Sequence, residues 1–501
     1  MYLVCRTLPN SQVSAPQTVS QLTRLYARIT TSSTHNPNPP RISRRELSSL
    51  TPKTDPAGPT ARMTRIVRVD VSRDLGRFES GGERLGKWQV STAPETEESM
   101  SALREAAQAL RETDVPVGFP TETVYGLAAD ATRSNAVKGI YKAKSRPSDN
   151  PLIIHVSDLA MLREYLRPAQ QEGEKQINGD GPIETDPIPD IYKPLIERFW
   201  PGPLTILMPN PQPSKLAPEV TAGLGSFGVR MPSTPLALSL IKLTGRPLAA
   251  PSANASTRPS PTAAQHVFDD LQGRINLILD GGACGVGVES TVVDGLCNPP
   301  VVLRPGGVSL EELRAVPGWE STAKGYRDAS EVGDTYAPRA PGMKYKHYSP
   351  KAAVILCEAT YDSHGEAIAG QDFGEALAEW RDKERMRVGV IRTRRWKRIG
   401  GLQEDSVRVV DVDTAREEAG ALSFEVREAE LLAQMGGVKA TMLDIDLGKD
   451  IRGIAQGLFS ALRELDRRGA DVIFVDGVGD GDDIAAAVMN RLRKAASSIR
   501  K

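Results

Sequence analysis

Residues 117–156 read VGFPTETVYGLAADATRSNAVKGIYKAKSRPSDNPLIIHV, and these forty residues decide how the rest of the chain is read. Val117 to Phe119 is a short apolar run stopped by Pro120, the pattern of a buried strand that ends abruptly. Thr121, Glu122 and Thr123 then place two hydroxyls and a carboxylate at the strand end, where side chains can converge on a ligand. Gly126 and the small residues after it allow close backbone approach. Ala136, Val137, Ile140 and Tyr141 follow helical spacing and predict a helix over 136–144. Its far end carries Lys138, Lys142, Lys144 and Arg146, next to Pro147. Cations at a helix C-terminus are favoured by the dipole in any protein, so a solvated cap is the plain reading. The KxR spacing beside a proline turn, facing the TET strand end, points instead to an anion site. A second apolar strand, 152–156, follows and holds His155.

The whole chain bounds what this site can be. At 501 residues it is long enough for two domains with tails. Lys plus Arg and Asp plus Glu number 63 each, so no global field draws the protein to nucleic acid or membrane, and any basic surface is local. No apolar run is long enough to span a bilayer. Cys5, Cys284, Cys297 and Cys357 are scattered, and His35, His155, His266, His347 and His364 add no zinc spacing. A reducing compartment and no protein-held metal are expected.

Residues 1–62 are rich in Ser, Thr, Pro and Asn, carry Arg6, Arg24, Arg28, Arg41, Arg44 and Arg45, and have no acid before Glu46. This composition fits a mitochondrial transit segment or a disordered extension equally. Met63 opens MTRIVRVDV, a strand pattern and an alternative start, so a cytoplasmic protein with a mitochondrial form is expected. Residues 74–99 are polar and Gly-rich and read as a loop within an N-terminal extension, 63–99. GGERLGKW at 81–88 nearly spells a phosphate-binding loop, but Trp88 stands where Ser or Thr should bind magnesium and no apolar strand precedes it. Leu103, Ala106, Ala107 and Leu110 then mark an amphipathic helix.

Beyond His155 one device recurs. A helix is predicted around 159–166, and 168–190 is a polar, Pro-rich surface insertion. FWPGPLTILMP at 199–209 is a turn before strand 204–208. GLGSFG at 223–228 matches a dinucleotide fingerprint, yet strand 229–231 and Pro232 follow instead of a helix, leaving a Gly loop with Ser226 and a strand with Arg230. A buried strand arginine needs an anionic partner. Strand 248–250, ending in Ala250, runs into a small-residue loop holding Ser252, Asn254 and Ser260. A helix near 263–271 and strand 277–280 lead to GVESTVVD, with Ser290 before strand 291–294, and VVLRPGG ends a strand in Arg304. Strands that end in Pro, Gly or Ser with one polar or cationic residue, repeated this often, predict one crevice lined by strand ends.

Residues 317–350 read as a linker that closes on APGMKYKHYSP, where Lys344, Tyr345, Lys346, His347 and Tyr348 sit between prolines. A plain linker needs only polar filler, and this one is shaped to lie on something. From 351 strands near 354–356, 388–391, 407–412 and 472–475 alternate with helices, the clearest at 450–467, predicting a small doubly wound, Rossmann-like α/β domain with a parallel sheet. DGVGDGDD at 476–483 lacks calcium-loop acids and reads as a strand-to-helix turn.

In order, PTETVYGLAADA, KAKSRPSDNPLIIH, FWPGPLT, GVRMPSTP, APSANAS, GVESTVVD and LRPGG resemble the YrdC-like threonylcarbamoyl-AMP synthases, and the PGMKYKHYSP linker is similar to the two-domain eukaryotic and archaeal type. The resemblance covers residues 100–350 and, more loosely, NRLRKAA near the C-terminus. It implies a YrdC-like twisted α/β sheet with a basic concave face over 100–316, a linker that acts as a lid over 317–350, and the α/β domain over 351–501. It implies an enzyme joining L-threonine, bicarbonate or CO2, and ATP into threonylcarbamoyl-AMP with release of pyrophosphate. The product would pass to a transferase that modifies adenosine 37 of tRNA. By resemblance Thr123, His155, Arg230, Ala250 and Ser290 bind threonine. Arg146, Asn150, Ser226, Ser252, Asn254, Ser260, Arg304 and Tyr345 bind ATP, and Lys144 and Arg146 are catalytic. Magnesium would come with ATP, carried by the phosphates.

Two rival readings belong to other classes. A non-enzymatic RNA-binding module on the same fold suits a basic concave face, although net charge is zero; weak RNA binding is also compatible with the enzyme. A carbamoyl transferase of the hydrogenase-maturation kind needs acylphosphatase and zinc-finger-like Cys modules, which four scattered cysteines do not supply.

Overall fold

A computed structural model describes residues 63–146, 150–169, 185–326, 347–361, 367–370, 373, 386–397, 407–416, 423–432, 438–481 and 483–500. The 1–62 segment, most of the 168–190 insertion and Tyr345 lie outside the described residues. Residues 61–501 cluster as one unit.

The apolar runs of the first half become strands of one mixed sheet of eleven. Their order is Arg65–Arg68, Leu277–Asp280, Val117–Phe119, Gly126–Asp130, Leu248–Ala249, Ile153–His155, Ser226–Arg230, Leu204–Pro209, Thr291–Asp294, Val301–Arg304 and Ala323–Lys324. Its middle strands are short and buried, as continuous apolar runs dictate. Register matters most at one pair: Ile153–His155 runs parallel to Ser226–Arg230 with His155 opposite Arg230. Leu248 lies opposite His155 on the other side. Two polar side chains predicted from separate motifs thus finish adjacent strands side by side.

Helices cover the sheet with the faces their spacing implies. Glu97–Glu112 buries Met100, Leu103, Ala106, Ala107 and Leu110 and begins with Glu97 and Glu98, favourable near a helix N-terminus. Ser134–Lys144 buries Ala136, Val137, Ile140 and Tyr141. It stops because Ser145 adopts a left-handed conformation (φ 52°), and Arg146 N–H closes back on Tyr141 O at 3.0 Å. The stretch read as a loop over 74–99 instead holds a hairpin, Gly76–Phe78 against Trp88–Val90, followed by the start of the 97–112 helix. The near-miss phosphate motif forms that hairpin's connection. Trp88 is buried there, its Nε1 donating to Ser239 Oγ at 2.9 Å.

The second half forms a seven-stranded sheet, in the order Val407–Arg416, Ser423–Leu432, Val438–Asp446, Met386–Arg392, Val472–Asp476, Ala353–Cys357 and Ser498–Arg500. The last five are parallel to one another, as the alternation of strands and helices predicts. The first two extend it by antiparallel pairing, and Ser423–Leu432 and Val438–Asp446 are strands the sequence pattern does not announce. Helix Ile451–Arg467 presents the expected apolar face, including Ile454, Leu458, Leu462 and Leu465.

That helix also packs on loops of the first sheet. Ser460 Oγ meets Thr262 Oγ at 2.9 Å, and Arg463 pairs with Asp270 at 2.8 Å. Arg258 reaches Asp466 in return, at 3.0 Å. Gly287 has φ +79°, and a Cβ there would lie 2.3 Å from Gln456 Cα and 2.7 Å from Ala455 O. Gly287→Ala combines left-handed strain with backbone overlap and should cost roughly 2–4 kcal/mol. Thermal or urea unfolding checks this: a variant as stable as the parent would show that the two sheets are not packed this closely.

Candidate active site

The strand ends converge on one cleft. Thr121, Thr123, Arg146, His155, Arg230, Ala250, Ser252, Glu289, Ser290, Arg304, His347 and Tyr348 all line it. Of the residues expected at the site, Thr123, Arg146, His155, Arg230, Ala250, Ser252, Ser290 and Arg304 are among this lining, and Lys144, Asn150, Ser226, Asn254 and Ser260 are not.

Arg230 is held from three sides. Its Nη1 donates to Thr123 Oγ1 at 2.8 Å, its Nε to Gly202 O at 3.1 Å, and its Nη2 pairs with Glu122 Oε1 at 2.5 Å. Thr123 Oγ1 in turn sits 2.9 Å from Thr121 Oγ1, whose own hydroxyl donates to Val124 O. A buried guanidinium with a fixed plane and N–H groups to spare suits a carboxylate. Beside it, burial and then the charge of Arg230 push His155 down to about 3, so this imidazole is neutral near pH 7.

Arg304 and Ser290 form the next wall. Arg304 Nε and Nη2 donate to Ser290 O at 3.1 and 2.9 Å, and Nη2 to Ser290 Oγ at 3.1 Å. Ser290 Oγ is also 2.7 Å from Thr205 Oγ1. Burial lowers Arg304 to about 10, which leaves it charged at neutral pH. The LRPGG motif has a steric reason: a Cβ on Gly306 would lie 2.3 Å from Glu289 O and Thr291 N. Only glycine lets the 304–307 turn lie on the 289–291 backbone.

The KxR motif divides its labour. Arg146, half-buried, lines the cleft. Lys144 does not; its Nζ donates to Ser252 O, to Asn254 O at 2.5 Å and to Asn254 Oδ1 at 3.4 Å. Three acceptors match the three N–H groups of an ammonium. Burial, and then the charge of Arg146, push Lys144 well below the usual lysine range. Asn254 is fully enclosed, donating to Ala255 O and Arg258 O at 2.9 Å while accepting from Ser252 Oγ at 2.5 Å. Lys144 and Asn254 thus shape the loop that presents Ser252.

Ser260 sits just behind the wall, donating to Glu289. Asn150 is buried near the end of the 134–144 helix, its carbonyl accepting from Tyr141 Oη at 2.8 Å, and it does not line the cleft. Ser226 begins the strand that Arg230 ends, so about 13 Å of extended chain separates them. Missed by the sequence reading as site residues are Glu289 and Tyr348. The first stood inside GVESTVVD and the second inside KYKHYSP, both already singled out as motifs.

Comparison with known proteins bears on this cleft and on the second sheet. A family model described as "Telomere recombination" matches residues 109–306, and one described as "Threonylcarbamoyl-AMP synthase, C-terminal domain" matches 308–497. A threonylcarbamoyl-AMP synthase of Schizosaccharomyces pombe is 46% identical over 418 residues, covering 82% of this chain and 91% of its own. One from Pyrococcus abyssi is 39% identical over 415 residues, covering 83% and 96%. The crystal structure of P. abyssi Sua5 complexed with L-threonine superposes with a TM-score of 0.60 at 35% identity, covering 87% of this chain and all (100%) of that one. With a relative this similar matched over nine-tenths of its length, the chain belongs to the threonylcarbamoyl-AMP synthase family and is an enzyme with that activity.

Proposed function

We propose that L-threonine lies at the Thr123, His155, Arg230, Ala250 and Ser290 end of the cleft and that ATP lies along Arg146, Ser252 and Arg304. Asn150, Asn254 and Ser260 support the nucleotide from behind the wall. Tyr345, outside the described residues, and Ser226, at the far end of its strand, join the ATP set by resemblance alone. The observation that carries this reading is the cleft itself: three arginines and several buried hydroxyls gathered from five strand ends and the end of the 134–144 helix.

The chemistry accounts for these residue types. Threonine's amine attacks CO2 to give a carbamate and a proton, and a carbamate oxygen then attacks the α-phosphorus of ATP as pyrophosphate leaves. Two anions must meet, so their repulsion is the barrier the protein has to lower. Arg230 would hold the threonine carboxylate with the N–H groups that Glu122, Thr123 and Gly202 leave open. Arg146 and Arg304 would offset the negative charge of the reacting oxygens and of the departing pyrophosphate. Lys144 acts through the 252–254 loop. A P. abyssi relative crystallised with L-threonine supports the amino-acid end.

ATP chemistry brings magnesium. Among the described residues no group of three His, Cys, Asp or Glu side chains could hold a metal ion; the ion would travel with the phosphates, since magnesium needs only one or two protein carboxylates beside them. The product would go to a tRNA-modifying transferase, and weak RNA binding at the basic cleft is compatible with that hand-over. Among the described residues no helix is long and apolar enough to cross a membrane. A cytoplasmic location with a mitochondrial form rests on the composition of residues 1–62.

Two outcomes test the assignment. Arg146→Ala should lower threonine-dependent pyrophosphate release by about 100-fold or more with the circular dichroism spectrum unchanged; a folded variant with near-parental turnover contradicts it. Burial holds His155 and His347 at about 3, so both are neutral throughout the working range. The pH profile of kcat/KM should therefore show no histidine limb between roughly pH 5.5 and 7.5. A limb there that disappears in His155→Asn would show that this histidine titrates during turnover.

A further inference from the structure

Glu289 presents a problem of sign. It lines a cleft built for anions, beside Arg304 and Tyr348, and is only 7% exposed. Burial alone would raise its pKa, but the charges of Arg491 and Arg304 and the Ser260 hydrogen bond pull it to about 2. It is a carboxylate at every working pH, and a bare carboxylate would repel a triphosphate or compete with it for the arginines.

The counter-charge comes from the other sheet's helix, Ile484–Ala495. Arg491 is 0% exposed. Its Nε donates to Glu289 Oε2 at 3.0 Å and its Nη2 lies 3.0 Å from the same oxygen, while Nη1 donates to Pro305 O. The guanidinium carbon stands 5.8 Å from the centre of the Tyr348 ring, which stacks on Phe459 at 5.3 Å. The other Glu289 oxygen takes the Ser260 hydroxyl, and Tyr348 lines the cleft beside this carboxylate. One guanidinium therefore ties together the segments that carry Ser260, Glu289, Arg304 and Tyr348.

We propose that Arg491 is a positioning residue for the nucleotide end of the active site: it neutralises Glu289 and aligns the Ser260, Arg304 and Tyr348 segments for ATP, so the C-terminal domain completes the site. This rests on the reading of the cleft given above. Simple adhesion between the sheets does not require Arg491, because Arg463 with Asp270, Arg258 with Asp466, and Thr262 with Ser460 already provide it.

Steady-state pyrophosphate release by the full chain, with ATP, magnesium, bicarbonate and L-threonine, tests this. Arg491→Met should raise KM for ATP by about 10-fold or more and move KM for threonine by less than about 3-fold. Adding Glu289→Gln to that variant should restore most of the ATP effect, because the uncompensated charge is gone. Arg463→Met, which weakens the same interface, should lower the melting temperature without this selective change in KM. If Arg491→Met does not fold, the charge-balanced double variant is compared with Glu289→Gln alone, and their KM values for ATP should agree within about 3-fold. An unchanged KM for ATP in Arg491→Met, an equal rise for both substrates, a second substitution that deepens the defect, or the same selective effect in Arg463→Met overturns the proposal alone. A parental enzyme whose pyrophosphate release does not depend on threonine overturns the reading of the cleft itself.

Discussion

Like charge packed into one small volume is the constraint on which this architecture depends. Arg146, Arg230 and Arg304 line a single cleft, and Arg230 and Arg304 are almost wholly buried. Left alone they would repel one another and lose hydration, and neither cost is small in a poorly solvated site. Each is met locally. Glu122, Thr123 Oγ1 and Gly202 O hold Arg230, and the Ser290 carbonyl and hydroxyl hold Arg304. Because the acceptors are mostly carbonyl and hydroxyl oxygens, the cations keep most of their positive potential for a ligand. That is how a protein of zero net charge gathers three arginines around one cleft.

The same constraint explains why the two sheets are packed so closely. Loops 252–262 and 284–290 form the floor behind the cleft, and helices 451–467 and 484–495 press on them through Ser460, Gln456 and Arg491. Small-residue loops have little core of their own and are stiffened by what packs behind them. Site geometry here is a property of both halves of the chain.

Much of this was legible in the sequence, for a definite reason. Strands that end in Pro, Gly or Ser announce themselves locally, so the crevice and most of its lining could be read from Thr123, Arg146, His155, Arg230, Ser290 and Arg304. What could not be read was pairing at a distance. Arg491 and Glu289 are 202 residues apart, and nothing near either names the other. Strands 423–432 and 438–446 escaped because SFEVREAELL is rich in the helix formers Glu, Ala and Leu, which mask the alternation of Phe424 and Val426. The 76–90 hairpin escaped because three-residue strands among glycines carry too little periodicity. Spacing also cannot tell which way a side chain turns: a left-handed Ser145 separates Lys144, turned toward the 252–254 loop, from Arg146, which lines the cleft.

The strand Arg65–Arg68 bears on how the protein can be cut. It pairs in parallel with Leu277–Asp280, whose apolar residues are buried, and it ends the sheet. Its own residues are mostly exposed, with Arg65 paired to Glu105 and Arg68 to Asp280. An outermost strand bearing charges discourages sheet-to-sheet association, whereas an uncovered apolar edge invites it. A fragment begun at residue 100, near the start of the matched family region, would bare that edge and be prone to self-association. One begun at Met63 would keep the cover whole.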